Sequence, residues 1–223
     1  AFSPDGQTVM VGSQRGTVRL WNTAGGKETR QLNGDSVSPV VFMPDRRTML
    51  TGSSDKTARL WDVASGKEIR QFAGHTETVL SVAVSLDGQW VLTGSEDNTA
   101  RLWDVASGQE IRQFAEPLRR PVLSVALSPD GTKVLTGSER GVARLWDAAS
   151  GKELRQFVVP WERPVLSVAV SPDGSKVLTG SDDGATRLWD AVSGKELHRF
   201  NVHLDPSPYS VAFSPDGKTV LTG

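Results

Sequence analysis

One histidine, one acid and one hydroxyl in this chain are of the types that together make a nucleophile. They are His75, Asp97 and either Thr93 or Ser95. A hydroxyl attacks a substrate when a base takes its proton and an acid orients the base, so the parts of such a set are present. The remaining histidines, His198 and His203, have no evident carboxylate partner in the sequence. Asp182-Asp183, before Gly184, invite a cation. Calcium loops place oxygen ligands at alternating positions, which this run does not, so a tight turn is the simpler reading. Arg19, Arg59, Arg101, Arg144 and Arg187 each precede Leu-Trp. A residue repeated so regularly points to a framework role rather than to one basic patch. No Gly-x-x-x-x-Gly-Lys-Ser/Thr run is present to cradle a phosphate. The chain has no cysteine, so thiol nucleophiles, disulfides and zinc–thiolate sites are absent too. The expectation is no catalytic residue, no cofactor and no metal.

The elements that must position these residues follow from an internal repeat. Trp21, Trp61, Trp103, Trp146 and Trp189 stand 40, 42, 43 and 43 residues apart. Gly12, Gly52, Gly94, Gly137, Gly180 and Gly223 recur in step. One unit runs from Val79 to Phe114. Val79–Val84 is a short apolar run, strand a. Ser85-Leu86-Asp87-Gly88 is a turn, written Ser-Pro-Asp-Gly in other copies such as 128–131. Residues 90–93 form strand b, 96–98 a second turn, 100–103 strand c, 107–108 a third turn and 110–114 strand d. Four short strands joined by Gly and Asp turns predict an antiparallel meander. No turn-free stretch carries helical periodicity. Strand a is rich in Ser and Ala (Ser81, Ala83, Ser124, Ala126), which suits a crowded innermost position, and the polar strand d suits an outer edge.

The segments Gly52–Asp62 and Gly94–Asp104 read Gly-Ser-x-Asp-x-Thr-x-Arg-Leu-Trp-Asp and resemble the WD40 signature. The resemblance spans the chain, and the near-identity of the copies is similar to the arrays of bacterial WD40 proteins. It implies an all-β fold, a β-propeller of about five four-stranded antiparallel blades plus a partial blade. The repeat units fall near 1–34, 35–74, 75–116, 117–159, 160–202 and 203–223. It also implies that His75, Thr93 or Ser95, Asp97 and Trp103 form the family's structural hydrogen-bond set rather than a catalytic one. Asp55 and Asp183 keep the turn acid without the histidine. Arg15 and Arg140 replace the acid, and their blades are expected to satisfy the Trp N–H another way. The first unit holds the tail of strand a, then b, c and d, and the last holds only a and b. Strand b is thus present twice, so an open arc of a larger ring is expected, with further blades or a larger polypeptide completing it.

The repeats break in their d–a loops. These are Ala115–Pro121, Val158–Pro164 and Asn201–Pro208, each longer than the loop holding His75. In this topology the d–a and b–c loops share one face. Leu118, Arg119, Arg120, Trp161, Glu162, Arg163 and His203 are therefore the partner-binding candidates. Trp and Arg dominate binding hot spots, and proline lowers the cost of ordering a loop. The competing use of Trp161 and Leu118 is to cover a blade seam. The leading expectation is a non-catalytic scaffold for a protein or peptide partner. The alternatives are the recognition arm of a larger bacterial signalling enzyme and a nucleic-acid module using Arg119, Arg120 and Arg163. Glu116, Glu162 and Asp205 among those arginines weigh against nucleic acid. So does the overall charge of -1. No run is long and apolar enough to span a membrane. A cysteine-free chain fits a reducing compartment such as the cytoplasm.

Overall fold

The computed structural model describes residues 1–13, 17–33, 37–117, 119–201 and 210–223. Its strands fall into six successive sheets, each a blade. Blade 2 comprises Val37–Phe42, Thr48–Ser53, Thr57–Asp62 and Glu68–Ala73. Blade 3 comprises Val79–Val84, Trp90–Ser95, Thr99–Asp104 and Glu110–Ala115. Blade 4 comprises Val122–Leu127, Lys133–Ser138, Val142–Asp147 and Glu153–Val158. Blade 5 comprises Val165–Val170, Lys176–Ser181, Ala185–Asp190 and Glu196–Asn201. In each of these four, strands a to d pair in sequence order and antiparallel. Blade 1 has three strands, Thr8–Gly12, Thr17–Asn22 and Glu28–Asn33, with a single Phe2–Val9 bridge where strand a would lie. Blade 6 has two, Val211–Phe213 and Val220–Thr222. Among the described residues no sheet joins strands of the first and last blades. A short 3₁₀ turn, Pro160–Glu162, is the one helical element described.

The blades pack through strand a and the glycine that ends the core of strand b. A Cβ on Gly94 would sit 2.8 Å from a methyl of Val125 and 2.9 Å from one of Val122, both in the next blade's strand a. Gly52 and Gly137 meet Val79 and Val165 in the same way, each at 2.8 Å. The recurring glycine is therefore a spacing device. The serines of strand a do more than stay small. A bulge after the first residue of the strand shifts the register. Ser81 Oγ then accepts a 3.1 Å bond from the amide of Val125 in the next blade, and Ser167 Oγ accepts one of 3.0 Å from Val211.

Outside this inner ring, each strand-d phenylalanine meets the next blade's tryptophan. Phe72–Trp103, Phe114–Trp146 and Phe157–Trp189 have ring centroids 6.0, 5.9 and 5.7 Å apart. Tilted aromatic pairs of this kind contribute beyond their buried area. The arginine two residues before each phenylalanine reaches the same neighbour. Arg70 Nη1 donates to Ser107 O at 2.8 Å and Arg112 Nη1 to Ser150 O at 3.2 Å. Arg30 donates to Ala64 O, and the Arg155 side chain lies against Gly194. These straps run from strand d of one blade to the c–d turn of the next.

The turns are held by serine–aspartate pairs. Ser85 Oγ donates to Asp87 at 2.6 Å and accepts from the Trp90 amide at 2.9 Å. In the c–d turns, Ser107 Oγ donates to Asp104 at 2.6 Å, and Ser193 Oγ to Asp190 at 2.6 Å. These serine hydroxyls, then the turn amides, hold nine carboxyls below the usual carboxylate range: Asp5, Asp62, Asp87, Asp104, Asp130, Asp147, Asp173, Asp190 and Asp216. A carboxyl with a depressed folded pKa contributes stability above its unfolded value of about 4. That contribution is lost as pH falls through the folded value. Thermal melts are therefore expected to hold their midpoint from neutral pH down to about pH 5 and to drop steadily below about pH 4. A midpoint unchanged down to about pH 2 would contradict the turn assignment.

Candidate functional site

Residues of functional type gather in two places: the polar set around His75 and the loops of the d–a and b–c face. In blade 3, His75 Nδ1 lies 2.8 Å from Asp97 Oδ2 and Nε2 lies 2.6 Å from Thr93 Oγ1. Trp103 Nε1 donates to the same Thr93 Oγ1 at 2.9 Å. Thr99 Oγ1 donates to Asp97 Oδ1 at 2.6 Å, and the Thr76 amide to Oδ2 at 3.1 Å. A proton on Nδ1 serves Asp97 and leaves Nε2 to accept from Thr93, so each member has a partner. Burial pushes the Asp97 carboxyl up. The hydrogen bonds from His75, Thr99 and the Thr76 amide outweigh it, and the group sits well below its usual range. Ser95 is near but apart from this chain: its Oγ donates to Glu77 O at 3.1 Å and accepts from the Asp97 amide at 3.1 Å.

Thr93 and the His75 ring are buried. The Thr93 hydroxyl is engaged by both His75 and Trp103. The set ties the d–a loop entering blade 3 to strands b and c.

The other blades correct one expectation. Loss of the turn acid does not change how the indole is satisfied. Trp61, Trp146 and Trp189 donate to Thr51, Thr136 and Thr179 at 2.9, 3.0 and 2.9 Å, with or without an acid in the turn. The threonine of strand b is the partner, and the acid serves the arginine of strand c instead. Arg59 pairs with Asp55 and Arg187 with Asp183. Arg101 lies 3.6 Å from Asp97. In blade 4, where Arg140 occupies the turn, Arg144 pairs with the buried Glu116 of the preceding d–a loop. Thr136 Oγ1 also donates to Glu116, at 3.3 Å. Sequence reasoning placed Glu116 among the loop arginines and missed this role. The only signal was that blade 4 lacks both the histidine and the turn acid. Blade 1 has Val11 at the threonine position, which offers no hydroxyl, and Arg15 lies outside the described residues.

At its other end each strand-c arginine faces a glutamate across the c–d hairpin. Arg19–Glu28, Arg101–Glu110, Arg144–Glu153 and Arg187–Glu196 are separated by 3.6, 2.8, 3.1 and 3.6 Å. The glutamates that open strand d are therefore half of a repeated pair. Asp182 and Asp183 diverge: Asp183 is buried against Arg187, and Asp182 lies 3.8 Å from Arg163. They do not converge on a cation.

The loop face places most of the partner-binding candidates together. Trp161 is 77% exposed and has φ 59°, and Glu162 follows with φ 52°. Arg119 also has positive φ, 49°. Such backbone persists in non-glycine residues only where the surroundings fix it. Here the Val159 amide donates to Gly141 O at 2.7 Å, and a Cβ on Gly141 would stand 3.0 Å from the backbone of Glu162 and Arg163. The Asp182 amide donates to Pro164 O at 2.9 Å from the far side. Arg120 lies 3.6 Å from Glu139, and Arg140 lies 3.7 Å from Glu162. Glu139-Arg140, the b–c turn of blade 4, thus bridges the Arg120 loop and the Trp161 loop. Glu139 and Gly141 were not among the sequence candidates. Leu118 and His203 lie outside the described residues. Trp161 does not cover a seam, because most of its surface is in solvent. Two clefts of about 590 and 490 Å³ lie by the a–b turns, away from Trp161.

The family of WD domain, G-beta repeats matches residues 1–22, 26–62, 66–104, 108–147, 151–190 and 194–223. A search of curated proteins returned no match. With six matches spread along the chain and blades of four antiparallel strands hung on Trp–Thr bonds, the protein belongs to the WD40 repeat family.

Proposed function

We propose that the chain works as one propeller region, residues 1–223, and as a non-catalytic scaffold that presents its d–a and b–c loop face to a protein or peptide. WD40 repeats generally mediate protein–protein interaction, and the reading specific to this chain is the location. The observation that carries it is Trp161, an exposed aromatic held by a strained loop that blade 4's turn pins from below. An anchor fixed in advance loses little freedom on binding. In this reading Arg119, Arg120, Glu162 and Arg163 serve as an orienting rim. Three loop arginines, Arg120, Arg140 and Arg163, have a carboxylate within 4.0 Å, which weighs against a coherent surface for nucleic acid. His75, Thr93, Ser95, Asp97 and Trp103 are framework in this reading.

Trp161→Ala is expected to shift stability by no more than about 0.5 kcal/mol, as for an exposed side chain. The same change is expected to deplete proteins retained by the immobilised chain. A large loss of stability with unchanged retention would overturn the assignment.

A further inference from the structure

Between blades 3 and 4, a groove on the a–b turn side is filled by the chain itself. Trp90 opens strand b of blade 3 and packs on the cluster that holds Leu102, Trp146 and Ala148. It reaches across to blade 4, where a Cβ on Gly131 would stand 3.2 Å from its ring. A hollow of about 160 Å³ is left beside it. The residue at the same place in blade 2 is Thr48. Its hydroxyl turns to Asp45, donating to Oδ2 at 2.8 Å. The groove between blades 2 and 3 is therefore open, a cleft of about 590 Å³ lined by Met43, Leu60, Ile69, Val105 and Ala106. Gly88, the counterpart of Gly131, meets the ring of Pro44 at 3.7 Å instead of an indole. The mouth is acidic. Asp45 and Asp87 line it, and Asp104 lies in an adjoining hollow. Arg47 stands near Asp45, and Arg70, tied to Ser107 O, stands near Asp104. Asp87 uses Oδ1 for its turn bonds from Ser85 and Gln89 and, among the described residues, pairs with no cation.

We infer that this cleft is a second recognition site, for a tryptophan side chain of another protein with a lysine or arginine beside it. The incoming indole takes the place that Trp90 takes one junction further on, and the cation faces Asp87. Burial of a large flat ring supplies the affinity, and the charge pairing supplies orientation. The walls are built of the same turn residues in both junctions, so the filled groove is a template for the open one. The site is separate from the Trp161 face, and either can fail without the other.

The chain has three methionines, which makes the test direct. Met43 lines the cleft, whereas Met10 and Met49 are buried in the cluster between blades 1 and 2. The probe is tryptamine, an indole carrying an ammonium, titrated into the whole chain with isotope-labelled methionine methyls and followed by NMR. The Met43 signal is expected to move saturably, in the millimolar range of so small a ligand, while Met10 and Met49 stay in place. Indoleacetate, the same ring with the opposite charge, is expected to bind at least about threefold more weakly. That gap closes in Asp87→Asn, which keeps the turn acceptor and removes the charge. Thr48→Trp fills the cleft from within and abolishes the Met43 shift. The two probes are compared on the unaltered chain, so the result stands even if Thr48→Trp disturbs folding. An unmoved Met43 signal, equal movement of all three signals, or equal affinity for the two probes overturns the inference. Self-association in light scattering that Trp161→Ala and Thr48→Trp each abolish also overturns it, by putting a second copy's tryptophan in the cleft.

Discussion

Trp103→Ala is expected to lower stability by about 3 to 5 kcal/mol, the range for deleting a large buried aromatic. Three losses coincide. The ring leaves Phe72 and His75, whose centroids lie 6.0 and 6.1 Å away. Thr93 loses a donor at 2.9 Å. The void sits between blades 2 and 3, where the surrounding sheets cannot collapse into it without breaking the Gly52 approach to Val79. Trp21→Ala is the control: Trp21 is only partly buried and Val11 offers it no hydroxyl, so its cost is expected to be smaller. Urea titrations of the two variants measure the difference. Equal losses, or a loss under about 1 kcal/mol at Trp103, would contradict the account of the junction.

Glu116→Ala is expected to cost about 3 kcal/mol or more, because it strands a buried guanidinium. Arg144 is buried with its two carboxylate partners, Glu116 and Glu153, and Glu153 is the more exposed of them. Removing one partner of such a pair is expensive, while replacing both by apolar groups of similar volume is often nearly neutral. The double variant Glu116→Leu with Arg144→Met is therefore expected to recover most of the loss. Additive losses in the two single variants and the double would show that the two side chains act separately.

The sequence made the blades legible because each strand and turn is a local device. A tryptophan, a glycine and a Ser-Pro-Asp-Gly turn recur at nearly fixed spacing, and their roles depend on near neighbours. The polar set around His75 was legible for the same reason, through its resemblance to a known pattern. What was not legible depends on partners far apart in the chain. Glu116 pairs with Arg144 across a loop, two turns and two strands, and nothing local marks it as buried. The strap from Arg70 to Ser107 links two repeats and leaves no trace in either alone. The Trp161 loop was legible as a break in the repeat. Its backbone strain and its pinning by Gly141 were not, because both arise from contact with another loop.

The junctions have a direction, and that bears on how the protein yields to mechanical load. From blade 2 to blade 5, phenylalanine and arginine reach from strand d of one blade to the blade that follows, and the principal contacts run between consecutive blades. A chain pulled by its two ends therefore loads these junctions in series. Its extension trace should show a sawtooth of separate ruptures, one blade at a time, as expected when each unit is secured only by its neighbours.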